Sequence, residues 1–218
     1  MSVRNQRQEA VTEPNLHINN NLLILEHSAP CLQKMWEKKK MSVQDEQENM
    51  MIRSRLSTVP YLPSSKDQTL NTMKLLEGRR GRLADLGSGD GRLVFAASAA
   101  GFQCTGFEIN SILVTYAKSK ALWMGVPSSQ ATFVKKDFWK TDLSSYNNVT
   151  AFLAPGVMTV LGDKLLKELP DDALVIACRF PFPNWPHQSS VGSGLDQTFA
   201  YDISSVRSHL RNVPNAVV

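Results

Sequence analysis

The chain has 218 residues, 42% hydrophobic and 20% charged, which suits one globular α/β domain with a core of its own plus a modest extension. A net charge of +4 and a pI near 9.0 favour acidic surfaces only weakly and do not argue for nucleic acid. No run approaches the ~20 apolar residues of a membrane span, and Arg4 and Arg7 are soon followed by Glu9 and Glu13, a poor match to a signal peptide.

Residues 1–57 are rich in Asn, Gln, Glu, Lys and Met and contain no glycine. This composition predicts a polar extension, disordered or partly helical over 31–56. Residues 58–82 read as a linker and a leading helix. VPYLPSS at 59–65 is punctuated by proline, Ser64 or Ser65 can cap a helix over 66–77, and Gly78 can end it. Lys66, Lys74, Arg79, Arg80 and Arg82 cluster here, and their expected place is a solvated helix face.

From residue 83 strands and helices alternate. Strands are predicted over 83–86, 104–108, 131–135, 149–153 and 173–178. Helices are predicted over 92–100, 111–124 and 157–169, with Gly101, Gly125 and Pro170 as stop signals, and a last strand or hairpin over 191–203. The alternation predicts a doubly wound, mostly parallel α/β sheet over 83–207, followed by a tail over 208–218. Cys31, Cys104 and Cys178 are isolated from one another, and His17, His27, His187 and His209 are scattered, so no metal spacing exists. Sparse, odd-numbered cysteines suit a reducing compartment.

The first strand-to-helix turn reads LADLGSGDGRLVF over 83–95. Asp85, Gly87, Ser88, Gly89, Asp90 and Gly91 form a loop that lets a ligand lie against bare backbone. A dinucleotide fingerprint requires a sixth-position glycine, but Arg92 stands there, and no Walker A lysine follows. Asp85 and Asp90 disfavour a pyrophosphate and favour a cationic ligand, which S-adenosylmethionine is, with its ammonium and sulfonium. Glu108 ends the second strand 21 residues after Gly87, where a carboxylate can accept both ribose hydroxyls. Asp137 follows the third strand and suits an adenine amino group, with Phe138 as an apolar wall for the ring.

The acceptor side is less distinct. The fourth strand ends in FLAPGVM, without the Asn/Asp-Pro-Pro-aromatic pattern of many amino-group methyltransferases, and no Pro-Cys pair offers a nucleophile toward cytosine. The fifth ends in ACRFPFPNWP, where Phe180, Phe182 and Trp185 alternate with Pro181, Pro183 and Pro186. Two readings stand for this stiff segment: with Pro155, an acceptor channel for a long aliphatic side chain such as lysine, or a packed connection over the sheet. Rival functions are methylation of a small molecule or RNA, and donor binding without transfer.

Taken together, LADLGSGDGRLVF, GFEIN, KKDFWK, NNVTAFLAPGVM, DDALVIACRFPFPNW and GLDQTFAYD resemble the small mitochondrial protein-lysine methyltransferases. One member type modifies the ATP synthase c subunit, and its sister type the adenine nucleotide translocase. DDALVIACRFPFP leans toward the first, FLAP and ELP toward the second. The resemblance runs from about Tyr61 to about Arg207. It implies a seven-strand S-adenosylmethionine-dependent fold, trimethylation of one lysine in a mitochondrial inner-membrane protein, no nucleic-acid partner, and donor contacts at Asp85, Gly87, Gly89, Asp90, Glu108 and Asp137. The hydrophobic segment that such proteins carry ahead of the catalytic domain has no counterpart in residues 1–57.

Overall fold

The computed structural model describes residues 63–212. The expected extension over 1–57 and the last residues of the expected tail lie outside them. Helix α1 (Lys66–Leu75) comes first, and Ser65 caps it, its hydroxyl accepting from the Gln68 N–H at 2.9 Å. Then follow β1 (Arg82–Leu86), α2 (Arg92–Ala99), β2 (Gln103–Glu108), α3 (Ser111–Trp123), β3 (Ala131–Lys135), β4 (Asn148–Ala151), α4 (Met158–Glu168), β5 (Leu174–Cys178), β6 (Ser189–Val191), β7 (Thr198–Asp202) and α5 (Ile203–Asn212).

The strands form one sheet in the order β3-β2-β1-β4-β5-β7-β6. β1 to β5 pair in parallel, and β7 runs antiparallel to both of its neighbours. Alternation along each strand feeds a core on either face. Ala84, Leu86, Val175, Ala177, Phe199 and Tyr201 pack with α4 and α5, whereas Leu83, Leu174, Ile176 and Ala200 pack with the face that carries α2 and α3. Burial on both faces is why β5 reads as an unbroken apolar run.

Three expectations are corrected. β4 ends at Ala151 rather than 153, because the chain leaves the ladder toward a 3-10 turn at Pro155–Val157. α5 is absent from the sequence-based expectation, and it runs past 207, where the domain was expected to end. It buries only Ile203 and Val206 and is anchored by Arg207, which donates to Leu169 O at 2.7 Å. Arg79 is not on a solvated helix face. Its guanidinium donates to Asn148 Oδ1 at 3.0 Å, Asn147 O at 3.0 Å and Asp172 O at 2.7 Å, joining the starts of β4 and β5. Among the described residues, no helix is long and apolar enough to cross a membrane.

Candidate active site

Strand order reverses at β1, whose neighbours β2 and β4 lead away in opposite directions, and a crevice opens at the carboxyl ends there. It holds a cavity of about 370 Å³, lined from the loop after β1, the tip of β2 and the exits of β3 and β4. The glycine loop is its floor. The N–H groups of Gly87 and Ser88 both donate to Phe107 O at 2.9 Å, and the Gly91 N–H donates to Ser88 O at 2.9 Å, curling the loop into the start of α2.

Two glycines are dictated by space. Gly91 has φ +78°, and a Cβ there would lie 2.5 Å from the Phe133 ring. A Cβ on Gly106 of β2 would lie 2.7 Å from Ser88 Oγ, so β2 must be bare where the loop presses on it. Sequence reasoning gave no role to Gly106.

The acids differ in environment. Asp85 is buried, and Thr150 Oγ1 donates to its Oδ1 at 2.8 Å. Burial pushes the Asp85 carboxyl up from 3.8 to about 7; the Thr150 hydrogen bond opposes this, and the charges of Glu108 and Asp90 reinforce it. Glu108 serves as a bracket: Oε1 accepts from the N–H groups of Ile109 and Asn110 at 2.8 Å each, and Oε2 accepts from the Gly89 N–H at 3.1 Å. Asp137 accepts from the Trp139 N–H at 3.0 Å, capping a 3-10 turn, with Phe138 buried beside it. Asp85, Gly87, Ser88, Gly89, Asp90, Glu108, Asp137 and Phe138 all face the one cavity.

Asp90 lines the cavity, as expected of a residue that favours a cationic ligand, but it shares its charge with a partner that sequence reasoning did not foresee: Arg92 Nε donates to both of its oxygens, at 3.0 and 3.2 Å, and Nη2 donates to Oδ2 at 2.7 Å. Partial burial works against the anion, yet the Arg92 hydrogen bonds outweigh it and hold the carboxyl below the ordinary carboxylate range. Arg92 Nη1 also donates to Ser64 O, tying the strap that precedes α1 to the loop. The far end of that strap is held by Ser65 Oγ, which donates to Asp196 Oδ1 at 2.5 Å, and α1 is tied to the same residue by Asn71 Nδ2, which donates to Asp196 O at 2.9 Å. Pro63 and Ser64 consequently line the cavity, a contribution that sequence reasoning missed.

The residues expected on an acceptor channel are placed otherwise. Phe182 and Trp185 are buried and stacked with centroids 4.3 Å apart, and both rings meet Tyr201 edge-on. The turn that folds them inward has Asn184 at φ +60°, and the Phe182 N–H donates to Tyr201 Oη at 3.1 Å. Gly162 of α4 leaves room for them, since a Cβ there would stand 3.3 Å from the Trp185 ring. Phe180 packs against the same core, and Pro155 is exposed beyond the cavity. The cavity wall at the β4 exit is instead Phe152, Leu153 and Ala154, with Trp139 also lining it. Phe182 and Trp185 thus lie within the core as a packed connection would place them, whereas Phe180 is half-buried.

Residues 85–189 match the family described as the ANTKMT methyltransferase domain. The lysine N-methyltransferase of the ATP synthase c subunit from Rattus norvegicus is 46% identical over 150 residues, which are 69% of this chain and 69% of that protein. This chain belongs to that methyltransferase family. The adenine nucleotide translocase lysine N-methyltransferase of Mus musculus is 44% identical over 146 residues, 66% of this chain and 63% of that one. The match thus spans about two thirds of the length of these family members. An RNA methyltransferase from Salinibacter ruber, solved in complex with S-adenosyl-L-homocysteine, superposes with a TM-score of 0.60 at 28% identity, covering 72% of this chain and 99% of that one. The seven-strand sheet with its single antiparallel strand is accordingly the methyltransferase fold.

Proposed function

We propose that the cavity binds S-adenosylmethionine and that the protein transfers its methyl group to a lysine side chain of the ATP synthase c subunit. The observation that carries this reading is the placing of Asp85, Glu108 and Asp137, from three successive strands, around one cavity beside a bare glycine loop. The site fits the donor. Its volume suits a ligand of that size, its floor has no side chains at Gly87 and Gly89, and the buried Asp85 carboxyl, with the neutral Thr150 hydroxyl as its hydrogen-bond donor, lines it where a cation would be attracted. When bound, the donor supplies an electrophilic methyl on a sulfonium.

This chain's residues do the rest. Asp85, once ionised, attracts the donor's ammonium. Glu108 accepts the ribose hydroxyls while fixing Gly89. Asp137 and Phe138 hold the adenine, by hydrogen bond and by apolar contact. Phe152, Leu153 and Trp139 strip water from the incoming amine, which favours its neutral form. Alignment of that amine supplies most of the acceleration, and no general base is assigned.

Four relatives named for the c subunit match at 44% to 47% identity, and the one named for the translocase at 44%, the lower end of that range, so the c subunit leads. Those names also support a mitochondrial location. The test is transfer of labelled methyl from the donor to purified c subunit, purified translocase and RNA in parallel. Label on a c-subunit lysine supports the reading, label on the translocase alone moves the substrate, and label on RNA alone overturns lysine as acceptor.

A further inference from the structure

We propose that α3 is a peripheral docking face for an anionic phospholipid bilayer, and that it holds the mouth of the cavity at the lipid headgroups. A surface helix buries one face and offers charged or polar residues on the other. α3 departs from this. Its inner face is Val114, Ala117 and Ala121, all buried. Its outer face carries Ile112 at 77% exposure, Tyr116 at 53% and Trp123 at 87%, with Leu122 at 83% beside them. At ~100° per residue, Ile112, Tyr116 and Trp123 fall within about 40° of one another, opposite the buried side, in a stripe roughly 16 Å long.

Charge identifies the occupant. No Asp or Glu occurs from Ile109 to Lys136, and the segment carries Lys118, Lys120, Lys135 and Lys136. Lys120 borders the stripe on the Tyr116 side with its ammonium over the Phe95 ring, 5.0 Å from the centroid, and Lys118 is exposed on the other flank, nearer the buried side, where its long stem can carry the ammonium toward phosphate. Tyr and Trp beside Lys, with aliphatic residues between them, is the composition of a helix lying in the interfacial plane. The stripe is also continuous with the site, because Ile109, Asn110 and Leu113 at the α3 N-terminus line the cavity. Docking therefore brings the cavity mouth to headgroup level, where a lysine of a membrane-embedded protein is presented. That consequence rests on the lysine-methyltransferase reading, whereas lipid binding itself does not.

The experiment is flotation of the full chain with vesicles of phosphatidylcholine alone or of equal parts phosphatidylcholine and phosphatidylglycerol, comparing wild type with an Ile112→Ser/Trp123→Ser double variant. Donor affinity, measured on both proteins, reports folding and the active site independently. Wild type is expected to favour the anionic vesicles about tenfold or more, with the preference shrinking in high salt, and the variant to lose most of that binding at unchanged donor affinity. A wild type that stays in solution with both vesicle types overturns the proposal, as does a variant that floats equally well. A variant with a raised KM for detergent-solubilised substrate, and no difference in vesicle binding, reassigns the face to a protein partner and likewise overturns it.

Discussion

Thr150 of β4 donates its hydroxyl hydrogen to Asp85 of β1 across directly paired positions, at 2.8 Å, on the strand boundary where the sheet order reverses. One neutral donor does not repay the burial of a carboxylate, so the group titrates near 7 rather than 3.8. A cationic donor needs the ionised form. Affinity for S-adenosylmethionine should therefore weaken about tenfold per pH unit below 7, with proton release on binding in that range, and fall again above about pH 8 as the donor's own α-ammonium deprotonates. Titrations across pH 5.5–8.5, on wild type and Asp85→Asn, check this. The variant should bind weakly and lose the acid-side dependence.

The same group sets a cost on the fold. With its folded pKa raised, Asp85 binds more proton folded than unfolded between about pH 4 and 7, so stability falls as pH rises through that window and stays low above it. Asp85→Asn keeps an oxygen for Thr150 and removes the charge. Thermal unfolding at pH 8 should show it more stable than wild type, on the order of 2 kcal/mol, with the advantage vanishing near pH 4.

The strap at 63–65 depends on Arg92, which joins Asp90 to Ser64 O. Arg92→Lys cannot reproduce a forked contact. It should weaken donor binding about tenfold and speed hydrogen exchange at residues 65–68, with little change near Trp185. Donor titration and exchange mass spectrometry decide it, and an unchanged strap would remove Arg92 from that role.

Trp185 separates a core role from a channel role. Its ring stacks on Phe182 beneath Tyr201. Trp185→Ala should destabilise the protein by about 3–5 kcal/mol in denaturant unfolding. Folded protein that remains should keep its KM for the protein substrate, whereas a channel residue would raise it.

Much of this was legible in the chain. Strand-helix alternation from 83 to 178 revealed the doubly wound sheet because short apolar-rich strands, densest at β5, alternate with helices that each stop just before a Gly or Pro. The glycine loop, Glu108 and Asp137 could be placed at strand tips because strand ends are where the polarity changes. Other features depended on contacts distant in sequence. Arg92 read only as a missing glycine, although it is the partner of Asp90 two residues away and of a carbonyl 28 residues away. RFPFPNW left two readings open because alternating aromatics look alike whether they face a ligand or a core. The positive φ of Asn184 and the gap at Gly162 decide that, and neither is visible locally. α5 was missed because it buries so few apolar side chains.

Glu108 bears most directly on the central claim, since its carboxylate is held by three backbone N–H groups at the cavity edge. The decisive measurement is calorimetric titration of S-adenosylmethionine into wild type and Glu108→Ala, both shown folded by their thermal unfolding. Saturable binding to wild type, weakened at least about thirtyfold in the variant, is the predicted result. Equal affinity in the two proteins, or no binding to wild type, would contradict it.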